Sequence, residues 1–361
     1  MYSEITRKSF VLENGATIKD LTIGYHTYGS LNAKKSNVIW VCHALTANAN
    51  VLEWWDGLFG NNQLFDPDKY FIVCANVLGS CYGTTGPGSE SEDGPLLDYF
   101  PDLTTRDMAR AHEELRQELG LSNVYTLIGA SLGGQQALEW SIAKPEVFQN
   151  LILIATNARH SAYGIAFNES QRMAICNDRS YGKGSVDDAK EGLAIARSIA
   201  MLSYRSYEGY VATQTDDSNS KKSAFKAGSY QKYQGNKLAD RFNAYAYVTL
   251  SKAMDSHNVG RNRESISRAL NTIKARTIVI GISSDNLFPT AEQKLLATHI
   301  PIADYFEIDS QFGHDGFLIE TNKLEDILND FLLEDYIKIR PTVFKTTTTK
   351  KNQLMNLVAN V

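Results

Sequence analysis

Four cysteines in 361 residues, none of them in a C-x-x-C pair, leave no disulfide framework and no thiolate metal site to read. Cys42 and Cys74 lie in apolar, strand-like runs, and with Cys81 and Cys176 they read as buried thiols of a reducing compartment. No uninterrupted apolar stretch reaches the length of about 18 residues that a membrane span needs. The opening residues, Met1 to Lys8, lack the apolar core of a secretory leader. These absences predict a cytoplasmic protein with no membrane partner. An excess of positive charge is also missing: 36 Lys and Arg against 41 Asp and Glu give a net charge of −5, the wrong sign for a nucleic-acid partner. No His, Cys or Asp cluster has ligand spacing, so no metal is expected. No internal repeat at a solenoid period is present.

What is present is a patterned, core-forming chain. Ser9 to Leu12 and Thr17 to Tyr28 alternate apolar and polar residues around Asn14-Gly15, which reads as a hairpin. Val38 to Cys42, Tyr70 to Cys74, Asn123 to Ile128, Leu151 to Ile154, Thr277 to Ile280 and Tyr305 to Ile308 read as strands, most of them continuously apolar. Such runs suit strands buried on both faces of a parallel sheet. Helical periodicity covers Thr104 to Leu119, Gly134 to Ala143 and Leu324 to Phe331. Strands alternating with helices predict an α/β fold with a mostly parallel central sheet and helices on both faces. Between Ile154 and Thr277 no buried strand is visible, while Glu191 to Leu202 and Ala239 to Met254 read as helices. A structureless loop of that length is improbable. The expected organisation is therefore a core over 1–158, a helical lid insertion over 159–270, a second core segment over 271–335 and a tail over 336–361. The stretch from Gln214 to Ser223 is polar and reads as loop, and the tail from Arg340 as a poorly packed extension.

The chemistry is concentrated in Gly129-Ala130-Ser131-Leu132-Gly133. A G-x-S-x-G placed between a strand and a helix holds its serine on a sharp turn with the hydroxyl exposed above the sheet. Ser131 is the expected nucleophile, and it needs a base because its hydroxyl is otherwise un-ionised. In this arrangement the acid and then the histidine follow the serine in the chain. Of the later histidines, His160 and His257 border the insertion and His299 lies in a helical stretch. His314, in Phe312-Gly313-His314-Asp315-Gly316, follows the last strand and is the expected general base. Asp285 follows the preceding strand and is the expected acid, which would fix the tautomer of His314 and stabilise its imidazolium. The oxyanion requires preorganised donors. The backbone N–H of Leu132 is one, and the loop His43-Ala44-Leu45-Thr46 supplies the other, Leu45 before Ala44.

Taken together, these segments resemble the homoserine O-acyltransferase family of the α/β-hydrolase fold. The likeness runs from about residue 8 to 335. It includes Cys42 to Thr46, Trp54-Trp55-Asp56-Gly57-Leu58, Ala75 to Gly79, Thr85-Gly86-Pro87, the Ser131 turn through Trp140, and Ala166-Phe167-Asn168-Glu169. Asp255 to Arg261, Ser284-Asp285 and Gly313-His314-Asp315 complete it. The resemblance implies a ping-pong transfer of an acyl group from acyl-CoA, acetyl-CoA above all, to the γ-hydroxyl of L-homoserine on the way to methionine. No permanently bound cofactor is implied, and the assembly implied is a homodimer. It further implies that Arg197 and Tyr204, seven residues apart on a lid helix, bind homoserine, with Arg197 on the carboxylate and Asp315 on the amino group. The chain departs from the family in Ala130 and Leu132, where Gly and Met are usual, and in Met201, where a histidine is common. Succinyl in place of acetyl, serine in place of homoserine, and a plain esterase remain as alternative readings, since each uses the same serine, histidine and acid.

Overall fold

The first strands are set by a turn. In the computed structural model, which describes residues 1–333, β1 (Tyr2–Val11) and β2 (Thr17–Tyr28) pair antiparallel with Phe10 opposite Ile18. Gly15 takes φ +87°, and Asn14 Oδ1 accepts the N–H of Ala16 at 2.9 Å, so the Asn-Gly step closes the hairpin. β3 (Val38–Cys42) and β4 (Phe71–Ala75) follow, then a two-residue ladder of β5 (Glu90–Ser91) and β6 (Gly94–Pro95) set apart from the main sheet. β7 (Val124–Ala130), β8 (Phe148–Ile154), β9 (Arg276–Ile282) and β10 (Ala303–Ile308) complete it. The order across the sheet is β1-β2-β4-β3-β7-β8-β9-β10, parallel from β4 to β10 and antiparallel at the β1–β2–β4 edge.

The central strands are apolar throughout because both faces are covered. Val38, Trp40, Leu127, Leu151 and Val279 enter one apolar layer, shared with α2 (Thr105–Glu118), α3 (Leu132–Ala143) and α10 (Thr290–His299). Ile39, Val41, Ile128, Ile152 and Ile280 enter the other, shared with Val51 of α1 (Val51–Trp54), Phe317 of α11 (Gly316–Ile319) and α12 (Thr321–Leu333). Thr104 and Asp107 form a reciprocal cap at the start of α2. After β3 the chain steps to β4 on one side, and β7 is then laid on the other side. The carboxyl ends of β3 and β7 therefore flank a topological switch point, where open α/β sheets leave a crevice.

Between β8 and β9 the chain leaves the sheet as α4 (Ala162–Cys176), α5 (Lys190–Tyr204), α6 (Tyr207–Gln214), α7 (Lys226–Ala239) and α8 (Ala244–Asp255), and returns through α9 (Ile266–Leu270). The outgoing and returning segments are neighbours: the His160 N–H donates to the His257 carbonyl at 3.0 Å and Val259 N–H to Ala158 at 2.9 Å. The sequence misses α4, α6, α7 and α9. It also reads 239–254 as one helix, whereas the helix stops at Ala239 and a new one starts after Asn243. The Asn243 side chain accepts the Ala246 N–H, a cap that propensity within an apolar run conceals. The polar stretch after Gln214 is loop up to α7. All four cysteines are free, but only Cys42 and Cys74 are buried; Cys81 is half-buried and Cys176 exposed, because neither sits on a sheet strand. No helix among the described residues is long and apolar enough to cross a membrane. The predicted extension from Arg340 lies outside the described residues.

One buried carboxylate ties the layers together. Glu139 on α3, 1% exposed, binds Arg106 of α2 at 3.1 Å and Arg263 of the returning segment at 2.7 Å. Arg106 also reaches Glu13 in the hairpin turn at 2.8 Å, and Glu13 takes Arg261 at 2.7 Å. Removing Glu139 leaves two guanidinium groups without their shared acceptor. Glu139→Ala is expected to cost roughly 2–3 kcal/mol of stability, read as a lowered urea midpoint with unchanged m-value. An unchanged midpoint would show the cluster to be ornamental.

Candidate active site

The turn after β7 is strained in the way its glycines permit. Ser131 takes φ 56° and ψ −127°, and α3 begins at the next residue, two earlier than periodicity predicts. The glycines allow contact between backbones. A Cβ on Gly129 would stand 2.2 Å from the Gly133 carbonyl oxygen, and one on Gly133 would stand 2.0 Å from that of Cys42. A Cβ on Gly134 would collide with Thr156 at 2.5 Å. Thr156 in turn donates to the Ser131 carbonyl at 2.8 Å. The start of α3 is thereby pressed onto the end of β3.

Ser131 Oγ lies 2.9 Å from His314 Nε2, and His314 Nδ1 lies 2.7 Å from Asp285 Oδ2. The other Asp285 oxygen accepts the N–H groups of Leu287 and Phe288, both at 2.9 Å. The carboxylate is thus pinned in the plane that receives the Nδ1 proton, which places the acceptor nitrogen at the serine. Rings lock the imidazole: Phe288 stacks on it at 5.0 Å and Phe317 meets it edge-on at 5.4 Å. Ser131, Asp285 and His314 are 5%, 3% and 3% exposed, so water reaches the line poorly.

The loop after β3 is held with equal care. His43 is fully buried, its Nδ1 bonded to the Ala44 carbonyl at 2.8 Å and its Nε2 accepting the Val77 N–H at 2.9 Å. Burial pushes its pKa down to about 4, so the ring stays neutral, as a ring with one donor and one acceptor must. The Ala44–Leu45 peptide is trans, so a carbonyl turned to the imidazole turns the Leu45 N–H away from it. The His43 carbonyl accepts Gln136 Nε2 at 3.1 Å, and Gln136 Oε1 lies 2.9 Å from His112 Nε2. Among the described residues neither the Leu45 N–H nor the Leu132 N–H has a hydrogen-bond acceptor.

Helix α5 carries Arg197 and Tyr204 on one face, the Arg197 guanidinium 5.0 Å from the Tyr204 ring. The Tyr204 ring is in turn 5.7 Å from the His314 ring. Arg197 forms no ion pair among the described residues. Asp315 does: Arg205 Nε lies 3.0 Å from its Oδ2. Met201, also on α5, is fully buried. The structure therefore brings together Ser131, His314, Asp285, Tyr204 and Asp315, with Leu45 and Leu132 on the two backbone segments beside the serine. His160 and His257 lie at the base of the helical insertion, and His299 bonds Ser267 at 3.1 Å away from the site. Sequence reasoning misses Arg205, Gln136 and His112, whose partners are distant in the chain and follow no spacing rule. No group of three or more His, Cys, Asp or Glu side chains among the described residues is arranged to hold a metal.

The profile of the alpha/beta hydrolase fold family matches residues 37–321. A homoserine O-acetyltransferase from Cyclobacterium marinum is 48% identical over 331 residues, covering 91% of this chain and 94% of that protein. The chain belongs to the homoserine O-acetyltransferase family. A solved homoserine O-acetyltransferase from Staphylococcus aureus superposes with a TM-score of 0.79 at 30% identity, covering 94% of this chain and 97% of the other. The esterase E22 superposes with a TM-score of 0.85 at 21% identity over 92% of this chain and 99% of its own. That likeness is one of fold alone. The homoserine O-acetyltransferase family thus shares its scaffold with an esterase.

Four of the buried histidines are held neutral by their burial. Burial pushes His43, His112 and His160 down to about 4, and His257 to about 3. Each is neutral when folded and regains a pKa of about 6.5 on unfolding. Above about pH 6.5 neither state binds these protons; below it only the unfolded state does, so stability falls as pH drops towards about 4. Urea midpoints from pH 7.5 to 4.5 are expected to decline with an uptake of about four protons on unfolding near pH 5. A flat profile down to pH 5 would show that these rings are charged in the fold.

Proposed function

We propose that this chain transfers an acetyl group from acetyl-CoA to the γ-hydroxyl of L-homoserine through an acetyl-Ser131 intermediate. The observation that carries the chemistry is the enclosed line Ser131–His314–Asp285, with contacts of 2.9 and 2.7 Å. Ser131 Oγ attacks the thioester carbonyl and its proton passes to His314 Nε2. The oxyanion is received by the Leu45 and Leu132 N–H groups. Collapse expels the CoA thiolate, which takes the proton from the imidazolium. In the second half, His314 removes the γ-hydroxyl proton of homoserine and the alkoxide attacks the acyl-serine. O-acetylhomoserine then leaves, and Ser131 recovers its proton. Asp285 orients and stabilises the imidazolium throughout.

Support for the acceptor comes from the 48% identical Cyclobacterium relative and from the lid. In this reading residues 159–270 act as that lid over the carboxyl edge of the sheet. Arg197, having no ion-pair partner of its own, takes the substrate carboxylate, with Tyr204 beside it against His314 and Asp315 for the ammonium. Low exposure of the triad favours homoserine over water as second nucleophile. The same reading includes acetyl-CoA as co-substrate with no resident cofactor, a homodimer, and a cytoplasmic location.

CoA release from acetyl-CoA is expected to depend on homoserine, with O-acetylhomoserine formed in equal amount. Homoserine-independent release at full rate would make the protein a hydrolase. Ser131→Ala is expected to lower turnover by about three orders of magnitude or more while leaving the urea midpoint near that of the parent. With acetyl-CoA and succinyl-CoA in competition, mass detection is expected to show the acetyl product. Arg197→Ala is expected to raise the homoserine KM by roughly tenfold or more and to leave the acylation half-reaction near its parent rate. A loss confined to acylation would assign Arg197 to CoA instead.

A further inference from the structure

The junction between α5 and α6 is seated directly on the loop that carries His314. Gly313 has φ +64°, and a Cβ there would lie 2.8 Å from both the Ser206 nitrogen and the Tyr204 carbonyl oxygen. Ser206 Oγ donates to the Gln311 carbonyl. A Cβ on Gly209 would lie 2.8 Å from that same carbonyl oxygen. Within this tight seat Arg205 and Asp315 form an ion pair of 3.0 Å, their side chains 25% and 14% exposed. Arg205 also lines a cavity of about 190 Å³ with Tyr210, Tyr230 and Phe312.

The two arginines near the site differ in a way the resemblance does not foresee. Arg197 has no carboxylate partner among the described residues and is available to a ligand, whereas Arg205 is already committed to Asp315. We propose that Arg205 is a positioning residue for acceptor selection: through its charge, rather than through an aligned hydrogen bond, it keeps Asp315 a carboxylate, so that acceptors bearing an α-ammonium are chosen over simple alcohols. This rests on the homoserine reading given above, which it deepens. The groups facing Asp315 are Arg205, Arg197 and Tyr204 from α5 and its end, Tyr210 from α6, His314 beside it, and Asp285 across the loop. Burial pushes the Asp315 carboxyl up, and of the groups that oppose this Arg205 comes first. A protonated Asp315 would lose most of its hold on an ammonium.

Three measurements on the full chain test the proposal: acetyl-enzyme formation from acetyl-CoA, KM for L-homoserine between pH 6 and 9, and the ratio of kcat/KM for L-homoserine over 4-hydroxybutyrate, which lacks the ammonium. In Arg205→Met, acylation is expected within about twofold of the parent, homoserine KM to rise on the order of tenfold near pH 6.5 and to recover as pH increases, and the selectivity ratio to shrink by a similar factor. The sign follows from linkage: without the guanidinium, Asp315 is protonated to a higher pH, so the defect is deepest in acid. Arg205→Lys is expected to restore the charge and flatten the pH profile. Should Arg205→Met fail to fold, Arg205→Gln carries the same three readouts. A KM increase of equal size at every pH, or an unchanged selectivity ratio, overturns the proposal and leaves Arg205 a mere strut. Parent enzyme that acylates but rejects homoserine overturns the acceptor assignment itself, a result separable from the other two.

Discussion

The contact between the Gly133 backbone and the Cys42 carbonyl is the constraint on which the site depends. With no side chain between them, α3 starts against the end of β3, and a Cβ there would be 2.0 Å from the oxygen. That approach sets the helix carrying Leu132 against the strand that leads into the loop carrying Leu45, and the N–H groups of both residues are left without an acceptor among the described residues. It also fixes the forbidding backbone angles of Ser131, since the strand before and the helix after are both held. The strain is local and the restraint is spread over two secondary-structure elements. His314 and Asp285 then have only to be delivered from neighbouring strand ends, and the parallel sheet does this as a matter of course.

Much of this was legible in the residues, and for identifiable reasons. The continuous apolar runs Val38 to Cys42 and Leu151 to Ile154 can be satisfied only by cover on both faces, so they announced a parallel sheet. Ser131, Asp285 and His314 were legible because each sits just after a strand, with glycines or a turn to mark it. The helical insertion was far less legible. Its helices pack on one another through small residues: Gly192 approaches the backbone of α4, and Gly235 that of α5. Small residues leave little periodic signal. The break at Asn243 was hidden inside an apolar stretch because a cap is a single hydrogen bond. Arg205 was invisible for a different reason: its meaning lies wholly in Asp315, brought to it by the fold.

Polar groups buried around the site form a second layer of order. His43, Gln136 and His112 run in a chain from the loop after β3 through α3 to α2, each nitrogen or oxygen matched to a partner of opposite kind. Such a chain tolerates no change of protonation without breaking one of its bonds. Holding His43 and His112 neutral is the condition on which this ordered loop after β3 rests.

The closeness of the two segments at the base of the insertion has a consequence for how the molecule is put together. Ala158 to His160 and His257 to Val259 are hydrogen-bonded side by side, so the sheet meets the whole insertion as if it were one hairpin turn. Closing a long loop costs little more than closing a short one, because the entropy grows only with the logarithm of its length. Pairing of β8 with β9 therefore bears an insertion of this length at little added entropic cost. Change beyond the gateway is thus cheap for the strands but not for the His314 loop, on which the α5–α6 junction rests.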